Sequence, residues 1–234
     1  TLMGCIAGKT TVVIQPYIMM EEGRKYGNVQ AFITQQEVYA LRVWSPYVDL
    51  TLLEPKEIYG FGTDPKTYKE FINLEAFALS ERRTPKTVPV FFCRSVYNWE
   101  TGNQDLGITT LQGYPIIIIA VPQIGPDKIL AHELGHAFGL PHVWSTIKDC
   151  PFGDCLKETC RYNIMGYCFD EIPIGKEEMY LNSWQRTRAI LTVNHPLWPD
   201  GGANVAGFGS GIQSTPGVYE VSPSRGERSE EHTS

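Results

Sequence analysis

Residues 132 to 142 of this chain read His-Glu-Leu-Gly-His-Ala-Phe-Gly-Leu-Pro-His, which brings three imidazoles and one carboxylate within reach of a single metal ion. His132 and His136 are four apart, so on an α-helix they project from one face, one turn above the other. Glu133 follows the first histidine and points beside the metal, which suits a general base acting on a water that the metal activates. Gly139 lets the chain leave the helix in a left-handed conformation that other residues resist, and the turn brings His142 round as a third ligand. Three protein ligands leave one tetrahedral position open, the mark of a catalytic rather than a structural zinc site. A bare His-Glu-x-x-His arises by chance in roughly one chain per hundred of this length, and the added Gly and His make coincidence about a thousandfold rarer. The alternative is a set of polar residues on an ordinary amphipathic helix. Three of the chain's 5 histidines lie in this one stretch, which favours the metal.

The elements that must position this run are legible from periodicity. Thr11 to Ile14 is a β-branched run that reads as a first strand. Val29, Phe32, Ile33, Ala40, Val43 and Trp44 recur at helical spacing until Pro46 closes the segment. Val48, Leu50 and Leu52 alternate with Asp49 and Thr51 as in a half-buried strand. Asp64-Pro65 reads as a cap with proline at the first helical position, opening a helix to about Arg83. Val88–Val96, Gly107–Gln112 and Tyr114–Val121 read as strands, the last two joined tightly at Gly113. Ile116 to Ile119 is continuously apolar, as expected of a strand buried on both faces. Pro126 and Asp127 begin the histidine-bearing helix, and a final helix runs from about Asn182 to Asn194. His195, before Pro196, reads as a helix-end residue rather than a ligand.

The extended histidine motif resembles that of the metzincins, zinc-dependent endopeptidases that also carry a methionine turn downstream. Asn163-Ile164-Met165-Gly166-Tyr167 is the matching segment. The resemblance implies that Met165 forms a hydrophobic floor under the zinc. It also implies that Tyr167 approaches the metal and stabilises the oxyanion, as a phenol donor can; the plainer alternative is a packed tyrosine bonded to backbone. Val143, after the third histidine, differs from the Ser, Glu, Pro or Asp of the matrixin, astacin, serralysin and adamalysin branches. The clustered cysteines and the Met-x-Tyr turn are most similar to the pappalysin branch.

The fold that this resemblance implies is α+β: a metzincin-like catalytic domain over 1–198. It would have a five-stranded mixed twisted sheet with long helices above the zinc cleft, forming an upper part to about 139. From about 140 a small, mostly irregular lower part would end in a C-terminal helix. The resemblance also implies an edge strand that binds substrate as an added antiparallel strand. Gly107–Gln112 is the candidate, with Ile108, Thr109 and Thr110 inside it. Asp170 and Glu171, after the methionine turn, are either surface acids or a source of preference for a basic side chain.

Composition sets the outer bounds. The chain has 234 residues, 42% hydrophobic, enough for one substantial core or one domain plus a short extension. Its 26 acids and 20 bases give −6 with no basic block, which argues against nucleic acid. No apolar run reaches membrane-spanning length, and a monomer is expected. Cys150, Cys155, Cys160 and Cys168 read as two disulfides in an oxidising compartment, hence a secreted protein, with three pairings open. The competing reading, a structural zinc, is disfavoured because the spacing lacks close C-x2-C pairs. Cys5 and Cys93 are either a pair or buried thiols. A calcium ion has no signature in the sequence. The chain reads as a fragment or processed form, since Thr1 is not an initiator. Residues 199–227 are rich in Gly, Ser and Pro, as in a linker or the start of a further domain. Residues 228–234 resemble a translated sequencing adapter, an expected assembly artefact, the alternative being a charged disordered tail. The expected activity is hydrolysis of protein or peptide substrates at one catalytic zinc. The alternatives are a non-catalytic zinc-binding module on the same fold and a zinc hydrolase of non-peptide substrates.

Overall fold

A proline in the longest strand shapes one side of the sheet. The computed structural model describes residues 9–22, 28–111, 113–121, 128–142, 163–166, 181–203 and the backbone of 218–221. β1 (Thr11–Met20) pairs in parallel with two short strands along one edge: β2 (Asp49–Leu52) against Thr11 to Ile14, and β3 (Lys56–Tyr59) against Tyr17 to Met20. Pro16 lies opposite the break and has no amide proton to offer a ladder. The buried Gln15 side chain spans the gap, donating to the carbonyls of Pro16 and Glu54 at 3.0 and 3.1 Å.

On its other side β1 runs parallel to β4 (Thr87–Cys93), and β4 runs parallel to β8 (Ile117–Ala120). β7 (Gly107–Thr110) then lies antiparallel to β8, and β9 (Val218–Val221) antiparallel to β7. The sheet order is therefore β2-β1-β4-β8-β7-β9, with β3 beside β1. A separate antiparallel pair joins β5 (Val96–Tyr97) to β6 (Gln104–Asp105). The class is α+β with a mostly parallel mixed sheet, as expected, but this sheet has seven strands rather than five. β3 escapes the sequence because Lys56–Tyr59 has a single buried residue, Ile58, and hence no alternation to read.

Both faces of the sheet are covered, and β8 shows why its isoleucines run without interruption. Ile117 and Ile119 pack with residues of α1 (Val29–Trp44) and α3 (Ile129–Ala137). Ile116 and Ile118 face the opposite way, towards Phe71, Leu74 and Ala78 of α2 (Tyr68–Glu81). α1 follows its expected bounds, burying Ile33, Gln36, Ala40 and Trp44 on one stripe. α2 does not start at Asp64-Pro65. Thr67 caps it, forming a reciprocal box with Glu70 that satisfies two orphan amides. Asp64 is engaged elsewhere, accepting from Arg94 and Ser95. α4 (Ser183–Asn194) opens with an equivalent box between Asn182 and Gln185. Among the described residues no helix is long and apolar enough to cross a membrane.

The short α3 is anchored from three sides, because nine residues of helix hold little stability alone. Its Leu130 amide, one of the orphan donors of the first turn, donates to Gln36 Oε1 on α1 at 2.9 Å. The indole of Trp44 donates to the Ala131 carbonyl at 2.9 Å, and that of Trp198 to Ala137 at 2.9 Å. Pro126 and Asp127, the expected start of this helix, lie outside the described residues.

Trp44 carries the largest part of this anchoring: it is fully buried, bonded to α3 and set edge-on to Phe138 at 4.9 Å. Trp44→Ala is expected to lower unfolding free energy by about 3–5 kcal/mol in denaturant titration, the range for deleting a buried large aromatic. A loss below about 1 kcal/mol, typical of a surface change, would contradict this packing account.

Candidate metal centre

The Nε2 atoms of His132, His136 and His142 lie 3.0 Å from one another in all three pairings. All three rings are buried. His132 and His136 come from successive turns of α3, as their spacing dictates. His142 arrives because α3 ends in a left-handed cap: Gly139 has φ +81°. The Gly139 amide donates to the His136 carbonyl, and the Leu140 amide to the Gly135 carbonyl, the paired bonds of a Schellman motif. A side chain at 139 would also meet the Ala203 carbonyl oxygen at 2.6 Å.

Backbone carbonyls aim two of the imidazoles. His132 Nδ1 lies 2.6 Å from the Ile164 carbonyl, and His136 Nδ1 lies 2.7 Å from that of Leu140. A carbonyl only accepts, so each Nδ1 carries the proton and each Nε2 presents its lone pair inward. Tetrahedral ligands at zinc–nitrogen distances of about 2.05 Å are separated by about 3.3 Å, close to the spacing seen. The three histidines are the group among the described residues that could hold a metal ion, and their donor set suits zinc.

Met165 sits beneath the helix between the two ligands. A Cβ on Gly135 would run into its sulfur, so Gly135 is the opening that lets the methionine reach the underside of α3. Asn163 holds this turn. Its side-chain oxygen accepts the Met165 amide at 2.9 Å, and its carbonyl accepts the Gly166 amide at 2.9 Å. Its carboxamide exchanges two hydrogen bonds with Gln185 of α4, at 2.8 and 3.0 Å. A chain of contacts thus runs from α4 through Asn163 and the Ile164 carbonyl to His132.

Glu133 is fully buried, and its Oε2 accepts from Thr109 Oγ1 at 2.5 Å. Burial pushes its carboxyl up to about 8, against the lowering effect of that hydrogen bond. A bound dication would draw it back towards ionisation. Burial likewise pushes His132 down to about 4, and His136 and His142 well below 6.5, where the neighbouring histidines add to it.

The structure brings together His132, His136, His142, Glu133 and Met165, with Thr109 under the base. Ile108 and Thr109 are fully buried, and the Thr110 hydroxyl bonds to Ile116 N and Tyr114 O. The strand they form is not an open edge, because β9 pairs with it. Tyr167, Cys150, Cys155, Cys160, Cys168, Asp170 and Glu171 lie outside the described residues, as does Cys5. Cys93 is a free buried thiol, facing the carbonyls of Ser95 and Ile119. Sequence reading misses the orienting carbonyls, which leave no side-chain signal. It also misses the Asn163–Gln185 pair, although Asn182-x-x-Gln185 is a recognisable capping box.

No family model matches the chain, and no curated protein matches it by sequence. Among solved structures it is similar to metalloproteinase-II from Bacteroides fragilis, at 15% identity and TM-score 0.49 over 78% of this chain and 53% of that one. It is also similar to an archaemetzincin from Methanopyrus kandleri, at 13% identity and TM-score 0.45 over 79% and 95% of the two chains. The chain thus spans about half the length of the Bacteroides protein.

The buried histidines set a pH dependence for the metal-free protein. Their folded pKa values lie below the unfolded 6.5, so the unfolded chain takes up protons first as pH falls through that value. Glu133 opposes this, since its raised pKa favours the folded state below about 8, but one carboxyl faces three imidazoles. Tm of the metal-free protein is expected to fall from pH 7 to pH 5, and zinc to raise Tm more at pH 7 than at pH 5. A zinc-induced shift that is no smaller at pH 5 would count against histidine ligation.

Proposed function

We propose that this chain is a zinc-dependent endopeptidase acting on extended protein or peptide substrates. The observation that carries the reading is the convergence of three buried Nε2 atoms, 3.0 Å apart, two from the helix that also carries Glu133 and one from the turn that follows it. Bound zinc would supply Lewis acidity, activating water and polarising the peptide carbonyl. His132, His136 and His142 hold the ion, with His132 and His136 fixed in one tautomer by the carbonyls behind them. Glu133 accepts the proton of the attacking water and passes it to the leaving amine nitrogen as the C–N bond breaks. Met165 lies under the site as a floor. Tyr167 is assigned by the metzincin resemblance to oxyanion stabilisation.

The resemblance also supports the pappalysin-like branch and a catalytic domain over 1–198, to whose sheet β9 at Val218–Val221 adds a strand from beyond that bound. The cysteine cluster supports a secreted protein.

Substrate binding follows from the sheet. Thr110 N donates to the Ile116 carbonyl on the β8 side, so strand alternation turns the Thr109 amide and carbonyl the other way, towards β9. An extended peptide laid antiparallel on β7 needs those same groups. Peptide and β9 therefore compete for one set of hydrogen bonds.

Cleavage of unstructured casein tests the reading. The zinc-loaded chain is expected to cut it, chelation to stop cutting, and Glu133→Gln to lose activity by about 100-fold or more while retaining zinc. Zinc binding without cleavage in the parent would support the non-catalytic module instead. Tyr219 lies opposite Thr109 on β9. Tyr219→Pro deletes one competing amide and is expected to raise kcat/KM about fivefold, the equivalent of one net hydrogen bond. Unchanged kcat/KM in that variant would place the substrate elsewhere than on β7.

A further inference from the structure

We propose that Thr109 is a positioning residue that holds one carboxylate oxygen of Glu133, leaving the other as the proton acceptor, and that Gly107 keeps the space this acceptor requires. The proposal rests on the endopeptidase reading for the acceptor's role, while the positioning itself is a matter of geometry. Gly107 and Thr109 are two apart on β7, so both face α3, and Ile108 between them faces the α2 side of the sheet.

The two carboxylate oxygens stand in different surroundings. Thr109 Oγ1 lies 2.5 Å from Glu133 Oε2, to which it donates a hydrogen bond. The same Oγ1 is 3.1 Å from the Glu133 backbone carbonyl, so the hydroxyl touches both ends of the residue it orients. Glu133 Oε1 is buried without a hydrogen-bond partner among the described residues. Gly107 faces that oxygen. A Cβ there would lie 2.8 Å from Oε1, 3.0 Å from Glu133 Cγ and 2.8 Å from Ile129 Cγ2. Gly107 is not among the positive-φ glycines, so space rather than backbone conformation is what this position demands.

With Oε2 tethered, exchange of the two oxygens by rotation about the terminal bond is disfavoured, and Oε1 stays on the side that faces Gly107. Loss of the tether leaves the metal ligands untouched and the base misdirected. Misplacement of a reacting group by about 1 Å costs on the order of 100-fold in rate.

The test compares the full zinc-loaded chain with Thr109→Val, Thr109→Ser and Gly107→Ala, using a quenched fluorescent peptide taken from a mapped casein cleavage site. Thr109→Val keeps the shape and deletes the donor; it is expected to lower kcat by about 10- to 100-fold with KM and zinc affinity little changed, and to lower Tm modestly because Oε2 loses its buried partner. Thr109→Ser restores most of the loss, and Gly107→Ala shows a loss in kcat of the same order. Parental kcat in a folded Thr109→Val protein overturns the proposal. If valine does not fold, Thr109→Ala deletes the same donor without added bulk and is judged by the same criterion. Crystals of the zinc-loaded parent and Thr109→Val supply a readout independent of turnover. The Glu133 carboxylate turns away from its parental position if the proposal holds, and an unmoved carboxylate overturns it. Absence of cleavage by the parent would remove the endopeptidase reading while the crystals still decide the positioning.

Discussion

Two lone pairs, on Nε2 of His132 and His136, point at one another inside the protein and repel, and the arrangement around them and His142 is organised to keep them there. Two of the Nδ1 protons are committed to carbonyls, those of His132 and His136. Burial holds all three imidazoles neutral by making protonation expensive. A cation resolves the repulsion, so the fold stores a demand for metal. Every neighbouring element serves that demand. Gln36, Trp44 and Trp198 anchor α3, Gly139 turns the chain back, and the Asn163–Gln185 pair carries α4's rigidity to the Ile164 carbonyl.

Seen from the sheet, the same site has a second support. β8 fixes β7, and β7 presents Gly107 and Thr109 to Glu133 on one face while its outer backbone meets β9. One strand therefore does two jobs that strand alternation keeps separate. Gly107 and Thr109 face Glu133, and the Thr109 peptide groups face β9.

The parts of this arrangement that were legible in the sequence are those written in side-chain spacing. His132, His136 and His142 are a pattern of residue types at fixed offsets, Gly139 is a left-handed position that few residues fill, and α1 is an amphipathic stripe ending at proline. The isoleucine run in β8 announced burial on both faces. What stayed hidden depends on backbone atoms or on contacts distant in sequence. The Ile164 and Leu140 carbonyls carry no residue signature. Pro16 interrupts the pairing along one edge of β1, yet in sequence it only shortens the apparent strand. The Asp64-Pro65 pair imitated a helix start because propensity cannot show that Arg94 and Ser95 engage Asp64. Thr109 is expected from the sequence only as part of a strand that binds substrate through its backbone; the packing of α3 against β7 reveals that its side chain faces Glu133.

In this reading three imidazole nitrogens, and no sulfur, hold the metal. Zinc K-edge X-ray absorption on the protein loaded with one equivalent of zinc tests this most directly, because nitrogen and sulfur ligands differ in both distance and scattering. Ligation by His132, His136 and His142 gives nearest neighbours of nitrogen and oxygen alone at about 2.0–2.1 Å, with imidazole multiple scattering from three rings. A shell at about 2.3 Å, the zinc–thiolate distance, would show the ion in the cysteine-rich segment instead and contradict the account.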